Sequence, residues 1–262
     1  MNRLARVKCF LLDMDGTIFI GDRLLPGVEE FLRFLDQHGI DRLFLTNNSS
    51  KHRGQYAHKL RGFGLNVSEG QIFTSGEAAA LYIQGLEPSA RIYLVGTPAL
   101  QHEFTEHGFA LVEDKPDFVV LGFDTTLTYH KLWVMCNFVR AGVRYIATHP
   151  DYNCPFEGGF MPDIGATIAF VAASTGRKPD IVIGKPNAPI LEMSVKKSGV
   201  PLESLCMVGD RLYTDIALGE SGITTVLVLT GETKPGDILN SPHQPDYVVQ
   251  DLVELLDILS TS

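Results

Sequence analysis

The feature that most constrains this chain is an alternation, repeated along most of its length, of short apolar runs with stretches of helical periodicity. Residues 7–12 form an apolar run that stops at the turn-rich Asp13-Met14-Asp15-Gly16, and Val28, Phe31, Leu32 and Leu35 follow at helical spacing. Pro26 suits the first turn of that helix and Gly39 its end. Residues 43–45 precede a polar helix ending near Gly62, and Ile72 and Phe73 precede a helix that Ser75 is placed to cap. A second series has strands at residues 91–95, 118–121 and 145–147, with helical spacing at Leu132, Met135, Cys136 and Val139 between them. A Gly- and Pro-rich loop, residues 148–165, leads to an apolar helix over 166–174, after which residues 180–183, 205–208, 225–229 and 247–249 resume the strand rhythm. Strands joined by helical crossovers run parallel, so the expectation is an α/β fold with a Rossmann-like parallel sheet and helices on both faces.

Composition bounds the function classes. A chain of 262 residues, 45% of them hydrophobic, can bury a core, and it is not disordered as a whole. A net charge of −9 and the absence of any Lys/Arg run argue against a nucleic-acid partner. No run is long and uncharged enough to span a membrane, and Asp13 and Asp15 interrupt the first apolar stretch before it becomes a signal-peptide core. Cys9, Cys136, Cys154 and Cys206 lie far apart with no Cys-x-x-Cys pair, which reads as buried thiols in a reducing compartment and predicts a cytoplasmic protein.

Polar residues recur where the strands end. Asp13 and Asp15 follow the first strand, Thr46 and Asn47 the second, Lys185 the strand ending at Ile183, and Asp210 the one ending at Val208. The carboxyl ends of an open parallel sheet share one edge, so these scattered groups are expected to converge in one crevice. The segment without such residues, 80–180, reads as a domain inserted into a core made of 1–79 and 181–262.

The chemistry that fits this set is phosphoryl transfer. Asp13 can attack phosphorus and divide hydrolysis into formation and breakdown of an acyl phosphate. Magnesium held by the Asp13 and Asp210 carboxylates and the Asp15 main-chain carbonyl would offset the repulsion between two anions. Lys185, the Thr46 hydroxyl and the Asn47 amide suit the oxygens of the transferring group, and Asp15 is placed to act as acid and base on the leaving and attacking oxygens.

The strings Asp13-Met14-Asp15-Gly16-Thr17, Leu45-Thr46-Asn47-Asn48, Gly184-Lys185-Pro186-Asn187 and Gly209-Asp210-Arg211-Leu212-Tyr213-Thr214-Asp215 match, in order, the four signatures of the haloacid-dehalogenase-like phosphatases. The chain is most similar to subfamily IIA, the 4-nitrophenylphosphatase or NagD-like group, which carries an inserted α/β cap between its second and third signatures. The resemblance implies Asp13 as nucleophile, Asp15 as acid/base, and Thr46, Asn47 and Lys185 on the phosphoryl group. It also implies Asp13, Asp15 and Asp210 on magnesium, with Asp215 as a supporting carboxylate.

Taken singly, these motifs have bland readings: Asp-Gly after a strand makes turns, Asn and Ser cap helices, and an Asp soon after a strand opens one. It is their order at successive strand ends that points to chemistry. The paired histidines His52/His58 and His102/His107 lack same-face helical spacing and read as surface residues. In the long loop, His149, Asp151 and Asn153 are candidates for substrate contact. A phosphoacceptor switch and a phosphomutase remain as alternatives to the phosphatase. The partner expected is a small phosphorylated metabolite, and the residues name neither which one nor an oligomeric state.

Overall fold

The computed structural model describes residues 3–156 and 158–261. It divides into two compact units. The first comprises Met1–Leu45, Ala57–Phe73 and Ser194–Ser262, and the second Thr46–Tyr56 and Thr74–Met193.

The first unit is built on β1 (Cys9–Leu12), β2 (Asp41–Thr46), β3 (Ile72–Thr74), β4 (Leu205–Gly209), β5 (Thr224–Val228) and β6 (Tyr247–Val249), in the spatial order β6-β5-β4-β1-β2-β3. The chain thus starts in the middle of the sheet, builds outward to β3, and returns on the other side of β1. β1 pairs in parallel with both β2 and β4, and β4–β5–β6 continue in parallel. Every residue of β1, β4 and β5 is buried, as strands covered on both faces must be. The crevice between β1 and β4, where the order reverses, is the position at which such sheets bind ligands.

The helix Val28–His38 shows how sequence dictates these elements. Val28, Phe31, Leu32 and Leu35 make its buried stripe, and Phe31 meets Phe10 of β1 edge to face at 5.4 Å between ring centroids. Gly39, at φ 63°, closes the helix by donating its N–H to the carbonyls of Leu35 and Asp36. Gly27, at φ 78°, takes the N-cap, so Pro26 precedes the helix rather than lying in its first turn.

The second unit carries a five-stranded sheet in the order Ile181–Val182, Arg144–Ala147, Phe118–Leu121, Arg91–Val95, Ala110–Leu111, all neighbouring pairs parallel. Tyr93, Val119, Met135, Val139, Tyr145 and Val171 fill its core. Its helices Pro98–Glu106, Tyr129–Arg140 and Ile164–Thr175 are capped by Thr97, Thr128 and Asp163 side chains. The helix Ser75–Leu86 is capped by Thr74, one residue before the expected Ser75. The loop over 148–165 contains an antiparallel hairpin, Asn153–Phe156 with Gly159–Pro162, which the Gly/Pro content had obscured. One sheet assignment is also corrected. The strand before Lys185 pairs with Arg144–Ala147 and not with the first sheet, because the Asp180 carboxylate accepts the Tyr145 N–H at 2.7 Å and Arg177 ties the segment to the Val139 and Val143 carbonyls.

Among the described residues no helix is long and apolar enough to cross a membrane. No disulfide joins the four cysteines; Cys9, Cys136 and Cys206 are buried, and burial pushes the Cys9 thiol up to about 12.

Phe31→Ala should destabilise the first unit by about 3–5 kcal/mol, because the ring leaves a cavity against β1. Glu30→Ala on the exposed face should stay within about 0.5 kcal/mol of wild type. Urea unfolding followed by far-UV circular dichroism measures both.

Candidate active site

In the first unit three carboxylates meet. Asp13 continues β1, its N–H donating to the Val208 carbonyl at 2.9 Å, and the chain then turns sharply. Gly16, at φ 89°, donates its N–H to Phe19 O at 2.8 Å, while the Met14 carbonyl accepts from Ile18 and Phe19 at 2.9 and 3.1 Å. Met14 is buried, Asp13 half-buried and Asp15 exposed. In a trans peptide the C=O and N–H point in opposite directions, so pinning the Gly16 N–H to Phe19 turns the Asp15 carbonyl away from that residue.

Asp210 follows β4 and Asp215 lies five residues on; they are 2% and 0% exposed. Carboxylate oxygens of Asp13, Asp210 and Asp215 lie within 4.8 Å of one another. At that separation each pair of full charges repels by about 3.5 kcal/mol at an effective dielectric of about 20. Main-chain donors offset part of this. Glu232 N–H donates to Asp210 Oδ2 at 2.6 Å, and Arg211 N–H to Asp215 Oδ2 at 3.1 Å. Three glycines let the backbone approach so closely. A Cβ on Gly16 would lie 2.5 Å from Asp210 Oδ2, and one on Gly231 or Gly209 would overlap Asp210 or Asp215 outright. A cradle of this kind, lined by hard oxygen donors of one sign, fits a divalent cation such as magnesium.

Arg211 adds a permanent charge beside the cluster. Burial alone would lower its pKa, but Asp13 first and then Asp210 hold the guanidinium well above its ordinary value.

The Asp215 carboxylate thus belongs to the same group as those of Asp13 and Asp210, and the Asp15 carboxylate lies outside it.

The second unit gathers the other predicted residues. Thr46 Oγ1 accepts from Asn48 N–H at 3.1 Å. The Asn47 side chain is a bridge: its Oδ1 accepts from the Lys185 N–H at 2.8 Å, and its Nδ2 donates to the Lys185 carbonyl at 2.9 Å and to Asp151 at 3.1 and 3.2 Å. Lys185 is only 2% exposed. The long-loop candidates separate. Asn153 is exposed and Asp151 half-buried, but His149 is fully buried, its Nδ1 3.6 Å from Asp151 and its Nε2 3.5 Å from Asp163. Burial depresses the His149 pKa to about 4, with Lys185 pushing the same way and Asp151 opposing. The imidazole is thus buried and neutral at physiological pH.

The histidines that looked superficial do cluster. His52 Nε2 lies 2.8 Å from Glu106, His102 lies 3.5 Å from Glu106 and His107 3.5 Å from Glu103, with Arg53 between the two glutamates. A backbone N–H can only donate, so the Gly54 N–H at His52 Nδ1 puts the proton of neutral His52 on Nε2, where it faces Glu106. In that tautomer Nε2 donates to Glu106, and Arg53 pairs with both glutamates.

Sequence reasoning missed the residues after β5. Thr230, Gly231 and Glu232 touch the Asp13–Gly16 and Asp210 segments, and the available signal was a Thr-Gly turn at the carboxyl end of an apolar strand.

Two family models match, the haloacid dehalogenase-like hydrolase model over residues 10–110 and a second HAD-hydrolase-like model over residues 182–255. The fold is similar to that of a 4-nitrophenylphosphatase from Thermotoga maritima, 47% identical, with a TM-score of 0.95 over 98% of this chain and 99% of that one. A 5′-nucleotidase of Bacillus subtilis is 36% identical over 94% of this chain and 96% of its own length. An acid sugar phosphatase of Staphylococcus aureus is 36% identical over 97% and 98%. The chain belongs to the haloacid dehalogenase-like hydrolases. Within them it is an enzyme of the 4-nitrophenylphosphatase or NagD-like phosphatase group.

His149 should make the protein acid-sensitive. Its folded pKa of about 4 lies below the ordinary 6.5, so between those values the unfolded chain binds the extra proton and stability is lost as pH falls. The full contribution is about 3 kcal/mol. His149→Asn should lose less stability than wild type between pH 7 and pH 4.5 in parallel urea titrations.

Proposed function

We propose that this enzyme is a magnesium-dependent phosphatase of small phosphomonoesters that works through a phosphorylated Asp13. The observation that carries the reading is the meeting of the Asp13, Asp210 and Asp215 carboxylates within 4.8 Å where β1 and β4 end side by side. Asp13, Asp210 and the Asp15 main-chain carbonyl would hold the ion, and Asp215 is near enough to ligate it or to orient Asp210. The ion, when bound, lowers the repulsion between the carboxylates and an incoming phosphate dianion. An Asp13 oxygen attacks phosphorus as the bond to the leaving oxygen breaks, and Asp15 donates a proton to that oxygen. Asp15 then takes a proton from the water that cleaves the acyl phosphate. Lys185, the Thr46 hydroxyl and the Asn47 backbone amide stabilise the charge spread over the transferring group.

In this reading residues 80–180 act as the cap that selects substrates, with His149, Asp151 and Asn153 in its recognition loop. The relatives are named as a 5′-nucleotidase, an acid sugar phosphatase and a 4-nitrophenylphosphatase, and their common denominator, a small phosphomonoester, is the substrate class assigned to this chain. Turnover, rather than a signalling phosphoacceptor or a phosphomutase, is supported by Asp15 beside the nucleophile and by relatives named as phosphatases. Unpaired buried thiols support a reducing, cytoplasmic setting, and net charge −9 supports no nucleic-acid partner.

Release of inorganic phosphate from 4-nitrophenyl phosphate should stop in excess chelator and return with added magnesium. Asp210→Asn should raise the magnesium concentration needed for half-maximal rate by about 10-fold or more, with partial recovery at high magnesium. Full activity in chelator would contradict the metal assignment.

A further inference from the structure

The segment that follows β5 wraps the carboxylate cluster without contributing a carboxylate to it. It leaves the sheet at Leu229, whose N–H donates to Val249 O at 3.0 Å, and turns back over Asp210. Glu232 N–H donates to Asp210 Oδ2 at 2.6 Å and Thr233 N–H to the Asp210 carbonyl at 3.2 Å, so one turn grips both the side chain and the main chain of that residue.

Two side chains anchor the turn. The Thr230 hydroxyl donates to the Gly16 carbonyl at 2.6 Å, joining it to the loop that follows β1. The Glu232 carboxylate accepts from the Tyr213 hydroxyl at 2.8 Å and pairs with Arg211 Nε at 3.1 Å, joining it to the loop that follows β4. Gly231 lies between the anchors. Its backbone is outside the left-handed region, so conformation does not demand glycine there; a side chain is excluded because its Cβ would overlap the Asp210 carboxylate. The terminal torsion of an aspartate is broad and unfixed by rotamer preference. Asp210 therefore owes its carboxylate orientation to what surrounds it, and this turn supplies the surroundings.

We propose that residues 229–233 are the positioning element of the cation site, with Thr230 and Glu232 as its anchors and Gly231 as the residue that admits Asp210. Neither anchor is a catalytic residue. Thr230 acts through the Gly16 peptide, which adjoins the Asp15 carbonyl, and Glu232 acts by holding its own N–H against Asp210. The inference rests on the magnesium reading above, and it makes affinity for the free ion the quantity these residues set.

The test is isothermal titration of magnesium into the chelator-stripped full-length chain without substrate. Wild type, Thr230→Val, Thr230→Ser, Glu232→Ala and Gly231→Ala are compared, with metal-free far-UV circular dichroism to verify folding. Residues that orient metal ligands change affinity by about 10- to 100-fold when removed. Thr230→Val and Glu232→Ala should raise the dissociation constant about 10-fold or more, Thr230→Ser should restore it, and Gly231→Ala should weaken binding at least as much as either. In kinetics, the anchor variants should need more magnesium but approach the wild-type kcat when it saturates. Wild-type affinity in both Thr230→Val and Glu232→Ala would overturn the positioning role. No magnesium binding by wild type would overturn the metal reading itself. The Glu232 side chain is half exposed, so Glu232→Ala decides the matter if Thr230→Val does not fold.

Discussion

Like charges held together against their repulsion are the constraint on which the first unit of this protein depends. Asp13, Asp210 and Asp215 occupy a space in which each pair repels by several kcal/mol. A flexible chain would separate them. Here two are nearly inaccessible to solvent, and all are attached to adjacent, fully buried parallel strands. The topology supplies the neighbourhood, since β1 and β4 are far apart in sequence and side by side in the sheet. Glycines at 16, 209 and 231 supply the close approach, and main-chain N–H groups from Arg211 and Glu232 supply partial compensation. What is left over is a cradle of hard oxygen donors whose chemistry fits a divalent cation.

The second unit solves a different problem with similar means. Lys185 is nearly buried, and its main chain is clasped on both sides by one amide, that of Asn47. The same amide donates to Asp151, so a residue from the long loop, a residue from the end of β2 and the lysine loop form one hydrogen-bonded chain. The neutral His149 fills the space behind, where a charged group would be costly. The Asn47 side chain thus fixes the main chain of Lys185.

The sequence made some of this legible and hid the rest for identifiable reasons. The strand–helix alternation is legible because buried parallel strands must be apolar throughout and amphipathic helices must repeat at 3.6 residues, as Val28, Phe31, Leu32 and Leu35 do. Asp13, Asp15, Thr46, Asn47, Lys185 and Asp210 stood out because polar groups directly after apolar strands are unusual in type and order. The pairing partner of residues 181–182 was not legible: a two-residue strand carries no periodicity, and Asp180 and Arg177 decide its sheet through tertiary bonds. The hairpin at 153–162 was masked by Pro and Gly, which mark turns more loudly than strands. Thr230 and Glu232 escaped because their contacts are to residues some 20 to more than 200 positions away, and neither type is diagnostic in a turn. His149 was visible as a polar loop residue; its burial is a tertiary property that a loop-like sequence conceals.

In the proposed reaction Asp13 carries the phosphoryl group and Asp15 carries the protons. Intact-protein mass measured after brief incubation with 4-nitrophenyl phosphate and magnesium tests it most directly. The activated leaving group needs little protonation, so Asp15→Asn should still be phosphorylated and, lacking its base for water, should accumulate one added phosphoryl group. Asp13→Asn should gain none. Labelling of Asp13→Asn, or dephosphorylation of Asp15→Asn at the wild-type rate, would contradict the assignment of the two carboxylates.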